Sequence, residues 1–308
     1  MSQGIEGAAG HKAVHLLTFD LEHWYQGYRY RGGGGWENHP ARDCDTVGRL
    51  LAMLDESGAK ATFFTTGVFA AEFPELIRAL VKAGHEVASH SYDHILVHAF
   101  STISEFQRDL RKSIAVIEDI AGEKVLGFRA PKWSIPHSPA AFFDALLDEG
   151  LIYDSSLFPS VFAGHVPRQP YRGQAYSGRQ IWEFPATTFN LGPFRIPAAG
   201  GLWLRLFPGG LSRAALMQGE RAGQPRMVYL HPYDIDAECP VLWRGLGLKS
   251  FPFLLARHYR LGRADEILQA ILREFQFVSI RNHLCLDAAN NGAQGGGGKH
   301  NLTHCCVQ

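Results

Sequence analysis

The amino-acid sequence predicts an α/β fold built from parallel βαβ units. Short apolar or β-branched runs alternate with segments of helical period through the first three-quarters of the chain, and such alternation is typical of a parallel sheet. The 308 residues include 46% hydrophobic and 19% charged side chains, which is enough apolar material for one large core. We therefore expect one barrel-sized domain.

Seven short runs are predicted to form the strands. Each is rich in apolar or β-branched side chains, and a polar residue or a helical segment follows it. In chain order, the predicted strands are 14–19, 61–65, 86–89, 124–128, 151–153, 181–184 and 227–230.

Helical segments lie between these strands. Leucine, isoleucine and valine recur every three or four residues in 44–56 and 74–83, and Gly58 and Gly84 follow them as C-terminal caps. Ser104 is expected to cap a longer helix, because a serine side chain accepts a hydrogen bond from the first turn. Further helices are predicted over 139–149 and 264–275.

Three stretches fall outside this alternation. Residues 158–180 are rich in Pro, Gly, Arg and Tyr, and so long a loop in a compact domain is expected to be a functional insertion that faces the substrate or a partner. Residues 1–13 form an N-terminal extension. Residues 289–308 form a flexible Gly-rich tail, since they have too few apolar side chains to offset the entropy of ordering them. The domain therefore spans 14–288.

The charge balance and the cysteines restrict the function. Thirty Lys and Arg balance thirty Asp and Glu, so the basic surface of a nucleic-acid or anionic-membrane binder is missing and a neutral or weakly charged substrate is favoured. No window has the roughly 18 apolar residues of a membrane span, and no leader is recognised. We expect a cytoplasmic protein with reduced thiols, and the oligomeric state stays open. The cysteines are Cys44, Cys239, Cys285, Cys305 and Cys306.

Five of the predicted strands are followed by a titratable or cationic residue. These residues are Asp20, His90, Arg129, Asp154 and His231. In βα barrels the active site lies at the C-terminal ends of the strands, so all five are predicted to meet at one mouth. Each alone could cap a helix or fill the core, but together they favour an active site.

A metal site is predicted within this set. His90 and His94 are four residues apart, and one helical turn after the strand would point both imidazoles the same way. An acidic residue of the segment 20–23 would complete three protein ligands and leave positions for water and substrate. Such open coordination is typical of a catalytic metal.

These motifs resemble the polysaccharide deacetylase family in order and spacing, over about residues 14–277. The matching strings are TFDLEH, HSYDH, RAPKW, the Asp154–Ser156 region, and Leu230-His231-Pro232. The strings GGLWLRLFP, YLHPYDID and RHYRLGRADEIL are similar to the branch linked to bacterial exopolysaccharide export systems. The resemblance implies a distorted (β/α) barrel of about seven parallel strands.

The implied activity is metal-dependent removal of an acetyl group from an N-acetylated or O-acetylated sugar, in a polysaccharide or its lipid-linked precursor. Zn²⁺ is the expected metal, with Co²⁺, Ni²⁺ or Mn²⁺ as alternatives. By resemblance, Asp20 is the general base and Arg129 holds it. His231 is the general acid, Asp154 orients that histidine, and Leu230 lines the pocket for the acetyl methyl group.

Other residues are expected to contact the sugar. The backbone N–H near Lys132 would stabilise the oxyanion, and Trp133 belongs to the same motif. Aromatic residues after the first strand, including Trp24, suit a platform that stacks on sugar faces. Burial of Trp24 and Tyr25 in the core is the equally weighted alternative.

One position departs from the family pattern. In the branch that this sequence resembles, the first motif reads Asp-x-Glu-Asp, whereas here its last position is His23. If His23 binds the metal with His90 and His94, the site has three histidines and a different metal preference; if Glu22 binds it, little changes.

Two other functions are compatible with these motifs. One is an amidohydrolase that acts on a small non-sugar C–N substrate with the same scaffold. The other is a carbohydrate-binding or assembly protein whose catalysis is impaired by His23. The joint presence of Asp20, Arg129 and His231 speaks against the second, because a binding module needs neither an acid nor a base.

Overall fold

The computed structural model describes residues 13–39, 42–136, 139–159, 167–192, 194–207 and 209–285. The predicted tail over 289–308 and residues 1–12 of the predicted extension lie outside this part. In chain order the strands are β1 (His15–Leu21), β2 (Thr62–Thr65), β3 (Glu86–Ser89), β4 (Gly127–Phe128), β5 (Tyr153–Asp154), β6 (Tyr171–Gln174), β7 (Gln180–Glu183), β8 (Thr188–Leu191), β9 (Phe194–Pro197), β10 (Met227–Leu230) and β11 (Phe277–Val278).

Ten α-helices pack around these strands in the described part of the chain. They are α1 (Gln26–Arg29), α2 (Asp43–Ser57), α3 (Gly67–Glu72), α4 (Pro74–Lys82), α5 (Ile103–Ala121), α6 (Ala140–Asp148), α7 (Gly201–Leu206), α8 (Gly209–Arg221), α9 (Phe251–His258) and α10 (Leu261–Glu274). Among the described residues, no helix has the length and apolar character needed to cross a membrane.

The sheet is a curled, open barrel. Nine strands form it in the order β10-β1-β2-β3-β4-β5-β7-β6, with β11 also paired to β1. The run from β10 to β7 contains seven parallel strands, and β6 is antiparallel to β7. The prediction of a distorted barrel with about seven parallel strands is therefore confirmed. A separate hairpin joins β8 and β9.

Strand alternation divides the core into two layers. Along β1, Leu17 and Phe19 join the main apolar cluster between sheet and helices, because successive side chains of a strand point to opposite faces. A smaller apolar cluster, with Leu16 and Phe64, fills part of the barrel interior. Full burial of a side chain such as Phe19 contributes about 1.5–3 kcal/mol, so this packing fixes which face of β1 turns inward.

Several predicted boundaries differ from the structure. The strand predicted over 14–19 continues to Leu21, so Asp20 lies inside β1 instead of after it. Thr102, and not Ser104, caps α5, because its side chain accepts a hydrogen bond from Glu105 N at 3.2 Å. The predicted insertion over 158–180 is not irregular throughout, since β6 lies within it; residues 160–166 lie outside the described part.

Two further expectations are wrong. No helical turn carries His90 and His94; they lie in a loop in which Ser91 and His94 have positive φ angles of 66° and 55°. Cys44 and Cys239 are free thiols, but Cys285 is disulfide-bonded, so the cysteines are not all reduced.

Candidate active site

Parallel register brings the strand ends together. Phe19 of β1 pairs with Leu230 of β10, which places the following residues, Asp20 and His231, side by side. Ser89 of β3 pairs with Phe128 of β4, so His90 and Arg129 are neighbours in the same way. The sheet thus collects at one end the residues that the sequence distributes over more than 200 positions.

Asp20 and Glu22 share one face of β1 and the residue after it. Their separation of two residues matches the period of a strand, so both turn toward the barrel interior. Only 5% of Asp20 and 4% of Glu22 is exposed. Two carboxylates in so buried a place need cationic partners, because burial without them is costly.

The loop after β3 supplies the two histidines. His90 Nδ1 lies 2.7 Å from the carbonyl oxygen of Arg129. A carbonyl only accepts, so Nδ1 carries the proton and the Nε2 lone pair remains available. The left-handed conformation of His94 turns its ring toward His90, with ring centroids 5.2 Å apart. Ser91 O is held by Ser113 Oγ at 3.0 Å, which anchors the loop.

Glu22, His90 and His94 offer one ligand atom each, all within 4.8 Å of one another. Nε2 of His94 lies 2.7 Å from Oε2 of Glu22, yet this oxygen and His94 Nδ1 have no partner of hydrogen-bond geometry. Burial lowers the pKa of His90 to about 4. Burial would raise the pKa of Glu22, but His94, His231 and His90 together keep it below its usual value. Two imidazoles and one carboxylate are a ligand set that fits a zinc-like ion.

His23 lies outside this group. Its side chain faces the helices, with Nδ1 3.7 Å from Asp43 Oδ2 and Nε2 3.4 Å from Glu72 Oε2. The ring stacks on Tyr25, with centroids 4.9 Å apart. Of the two alternatives that the sequence left open, the structure brings only Glu22 to the histidines. The strand period contains this signal, because Glu22 and not His23 shares a face with Asp20.

Arg129 clamps Asp20. Its Nη1 donates to Asp20 Oδ1 at 2.6 Å and to Thr18 Oγ1 at 3.0 Å, and its Nη2 donates to Ser155 Oγ at 2.9 Å. The guanidinium is fully buried and lies 4.0 Å from the centre of the Phe64 ring. Burial alone would raise the pKa of Asp20, but Arg129 lowers it below the usual value. Asp20 is therefore held ionised, with Oδ2 left for another contact.

His231 faces both carboxylates. Its Nε2 lies 3.9 Å from Asp20 Oδ2 and 3.8 Å from Glu22 Oε1. On the other side of the ring, Nδ1 lies 3.4 Å from Asp234 Oδ2, and Arg205 Nη2 donates to Asp234 Oδ1 at 2.9 Å. Burial opposes the charged ring, but Asp234 and the other carboxylates raise the pKa of His231. The histidine is arranged to carry a proton.

Asp234, and not the predicted Asp154, contacts His231 in the structure. Asp154 accepts a hydrogen bond from Ser156 Oγ at 2.5 Å and pairs across the sheet with Glu183, without contact to His231. Burial raises the pKa of Asp154 to about 6, whereas Asp234 stays ionised with a pKa lowered to about 2, because its partners His231 and Arg205 outweigh burial. The available signal was the spacing of three residues in the string HPYD, which suits a side chain that folds back on the start of a turn.

The predicted sugar-contact residues are divided between core and mouth. Leu230 is fully buried in the main apolar cluster, and Trp24 is 3% exposed in a smaller one. Trp24 is therefore a buried core residue, which was the alternative to a platform that stacks on sugar faces. Lys132 and Trp133 lie in a turn with φ angles of 51° and 57°, at the end of β4. Lys132 is exposed, and Trp133 packs edge-to-face on Tyr229 at 5.1 Å.

Comparison with known proteins agrees with this site. The family model described as polysaccharide deacetylase matches residues 10–141, and one described as a domain of unknown function (DUF3473) matches residues 155–285. Residues 10–141 of the chain are thus similar to the polysaccharide deacetylase family. The sheet is continuous across the two matched parts, since β1 pairs with β10, and β5, which lies between the matched ranges, pairs with both β4 and β7.

Curated relatives match part of the chain. A peptidoglycan deacetylase of Helicobacter pylori is 32% identical over 122 residues, which is 40% of this chain and 40% of the relative. A chitooligosaccharide deacetylase of Sinorhizobium fredii is 30% identical over 115 residues, 37% of this chain and 46% of the relative. The chain thus spans less than half the length of these relatives.

Solved structures share the fold of the whole chain. A polysaccharide deacetylase candidate from Mycobacterium smegmatis has a TM-score of 0.60 at 21% identity and covers 98% of this chain and 99% of that one. Puue allantoinase has a TM-score of 0.53 at 15% identity, with 86% of each chain covered. Identities this low show the fold alone.

Proposed function

We propose that the protein is a metal-dependent hydrolase that removes the acetyl group from an N-acetylated or O-acetylated sugar of a polysaccharide or its precursor. The observation that carries this proposal is one mouth in which three candidate metal ligands lie beside an ionised base and a protonated acid. The ligands are Glu22, His90 and His94. The base is Asp20 and the acid is His231.

The residues divide the chemistry between them. A bound divalent ion supplies Lewis-acid polarisation of the acetyl carbonyl and makes water more acidic. Asp20 is ionised by Arg129 and has Oδ2 free, so it takes the proton of the attacking water. His231 gives its Nε2 proton to the leaving nitrogen as the C–N bond breaks, and acetate and the free amine result. Asp234 holds the opposite side of the imidazole throughout.

The turn at the end of β4 supplies the oxyanion contact in this proposal. Positive φ angles at Lys132 and Trp133 cost free energy for residues with side chains, and such strain persists where the surrounding structure enforces it. Arg129 precedes the turn and is fixed by four side-chain hydrogen bonds to oxygen. In this proposal, the fixed Arg129 supports the turn that offers the backbone N–H near Lys132 to the oxyanion.

The role in exopolysaccharide export is part of the same proposal. It is supported by the strings around Arg205 and Asp234, which carry the resemblance to that branch and also build the support of His231. These residues lie in the part that matches the domain of unknown function. This part therefore completes the active site instead of forming a separate module.

Metal content and acetate release test the proposal together. Elemental analysis of the purified chain should find about one divalent ion per molecule. Acetate should be released from N-acetylated oligosaccharides, and a chelator should stop the release. An inert protein without metal would contradict the proposal. Chelator-resistant hydrolysis of a small cyclic amide, with no action on sugars, would favour the amidohydrolase alternative.

A further inference from the structure

A cavity of about 190 Å³ opens beside the ring of His231. Its walls come from α7, from the segment after β10 and from α9, and they include Leu202, Phe253 and Arg257. All of its lining residues belong to the part that matches the domain of unknown function. None of them is needed as a metal ligand, so the cavity is available to a substituent of the substrate next to the reacting group.

Arg257 brings an uncompensated charge to this cavity. Its side chain is 5% exposed, and within the described residues no carboxylate lies within salt-bridge distance of it. Its Nε has no hydrogen-bond partner, and the guanidinium lies 3.7 Å from the centre of the Tyr233 ring, which stacks on His231. The neighbouring Arg205 is neutralised by Asp234 at 2.9 Å. A buried cation without an anion is costly, so the site favours an anionic guest.

Two more cations lie close to Arg257: Arg31 contacts a wall of the cavity, and Lys132 lies near Arg31. The guanidinium of Arg31 lies 3.9 Å from the centre of the Phe253 ring, and the ammonium of Lys132 lies 3.0 Å from the centre of the Tyr30 ring. Neither has a salt-bridge partner in the part of the chain that the structure describes. Partial burial of the ammonium and the nearby Arg31 lower the pKa of Lys132 to about 8. Arg29, two residues before Arg31 at the end of α1, is by contrast paired with Asp93.

We propose that Arg257, Arg31 and Lys132 form a subsite for an anionic group of the glycan, next to the acetylated sugar. The proposal rests on the deacetylase function proposed above and names its substrate class as an acidic glycan. Because the chain has no net charge, a group of three cations without salt bridges, one of which lines the cavity, is a local feature and does not follow from composition. The net charge alone favoured a neutral or weakly charged substrate, whereas this subsite favours a glycan that bears a carboxylate or a phosphate.

Binding and turnover of matched glycans test this subsite. Three oligosaccharides of equal length are compared with the full chain: a neutral N-acetylglucosamine oligomer, the same oligomer with a terminal phosphate, and one that alternates N-acetylglucosamine with glucuronic acid. Binding is measured by calorimetry on the Asp20→Asn variant, so that it is independent of turnover. We expect at least one anionic glycan to bind about tenfold more tightly than the neutral one, as for a charged hydrogen bond, and the identity of that glycan shows which anion is recognised.

Three variants locate the effect. Arg31→Gln should reduce the preference about fivefold, and Leu202→Trp, which fills the cavity, should abolish it. Both effects are read as the binding of the anionic glycan relative to that of the neutral oligomer, so they do not depend on turnover. Arg29→Gln makes the same charge change at an arginine that is already paired, and it should leave the preference unchanged. Equal binding of all three glycans would overturn the subsite even if each is deacetylated. A preference that survives both Arg31→Gln and Leu202→Trp would also overturn it.

Discussion

The replacement of Asp234 by asparagine tests which carboxylate supports the general acid. Asparagine keeps the shape of the side chain but removes the charge that faces Nδ1 of His231. The structure predicts a loss of activity from Asp234→Asn and little change from Asp154→Asn, because only Asp234 contacts the histidine. The sequence-based expectation was the reverse.

The magnitude follows from the contact. A hydrogen bond to a charged group contributes about 1.5–3 kcal/mol, and the Nδ1–Oδ2 distance of 3.4 Å between His231 and Asp234 is long for such a bond. The lower part of the range, about 1.5–2 kcal/mol, corresponds to a decrease in kcat of about 10- to 30-fold. Asp154→Asn should change kcat by less than about threefold, since the carboxyl of Asp154 contacts Ser156 and pairs with Glu183 and does not contact His231.

The assay is acetate release at saturating substrate, with metal content and the melting temperature measured on each variant. Both variants should retain the metal, because neither residue is among the candidate ligands. A decrease in kcat for Asp154→Asn as large as that for Asp234→Asn would refute the assignment. An unchanged kcat in metal-loaded Asp234→Asn would do the same.

Three further predictions concern the metal ligands, the role of His231 and the buried His85. Glu22→Gln should weaken metal binding by more than about 100-fold, which exceeds the loss for changes outside the ligand set, whereas the adjacent His23→Gln should keep the metal. Metal content is measured by elemental analysis after dialysis. Loss of metal in His23→Gln alone would reverse the ligand assignment. His231→Ala should keep one metal per chain and lose turnover, and a parallel loss of metal would make His231 a ligand instead of the acid. His85 is buried and its Nδ1 accepts from Ala61 N at 3.2 Å, so the folded chain holds it neutral with a pKa lowered by burial to about 4. Since the unfolded chain binds that proton more readily, the free energy of unfolding should fall as the pH drops from 6.5 toward 4, and His85 should account for about 2 kcal/mol of this loss at pH 5. Urea unfolding at pH 7 and pH 5 should therefore show a smaller loss in His85→Gln than in the unmodified protein. An equal loss in the two proteins would contradict the assignment.

Local sequence patterns were sufficient to predict most of the strands and to identify most of the titratable residues that meet at the mouth. The strands 86–89 and 227–230 were predicted with their observed bounds. Asp20, His90, Arg129 and His231 were predicted to meet, and they do. A parallel sheet brings the C-terminal ends of its strands to one edge, so no knowledge of tertiary contacts was needed to group them.

Contacts between distant segments decided the remaining roles. Glu22 and His23 point to opposite faces of the sheet, and His23 lies on the face that packs against α3. Trp24 packs away from the mouth, in an apolar cluster with residues more than 200 positions later in the chain. Asp154 does not reach His231 because it pairs across the sheet with Glu183, whereas the contact of Asp234 with His231 is local to the turn after β10. Strand and helix periods are properties of neighbouring residues, whereas the partner of a buried charge depends on strand register and packing, which only the assembled sheet defines.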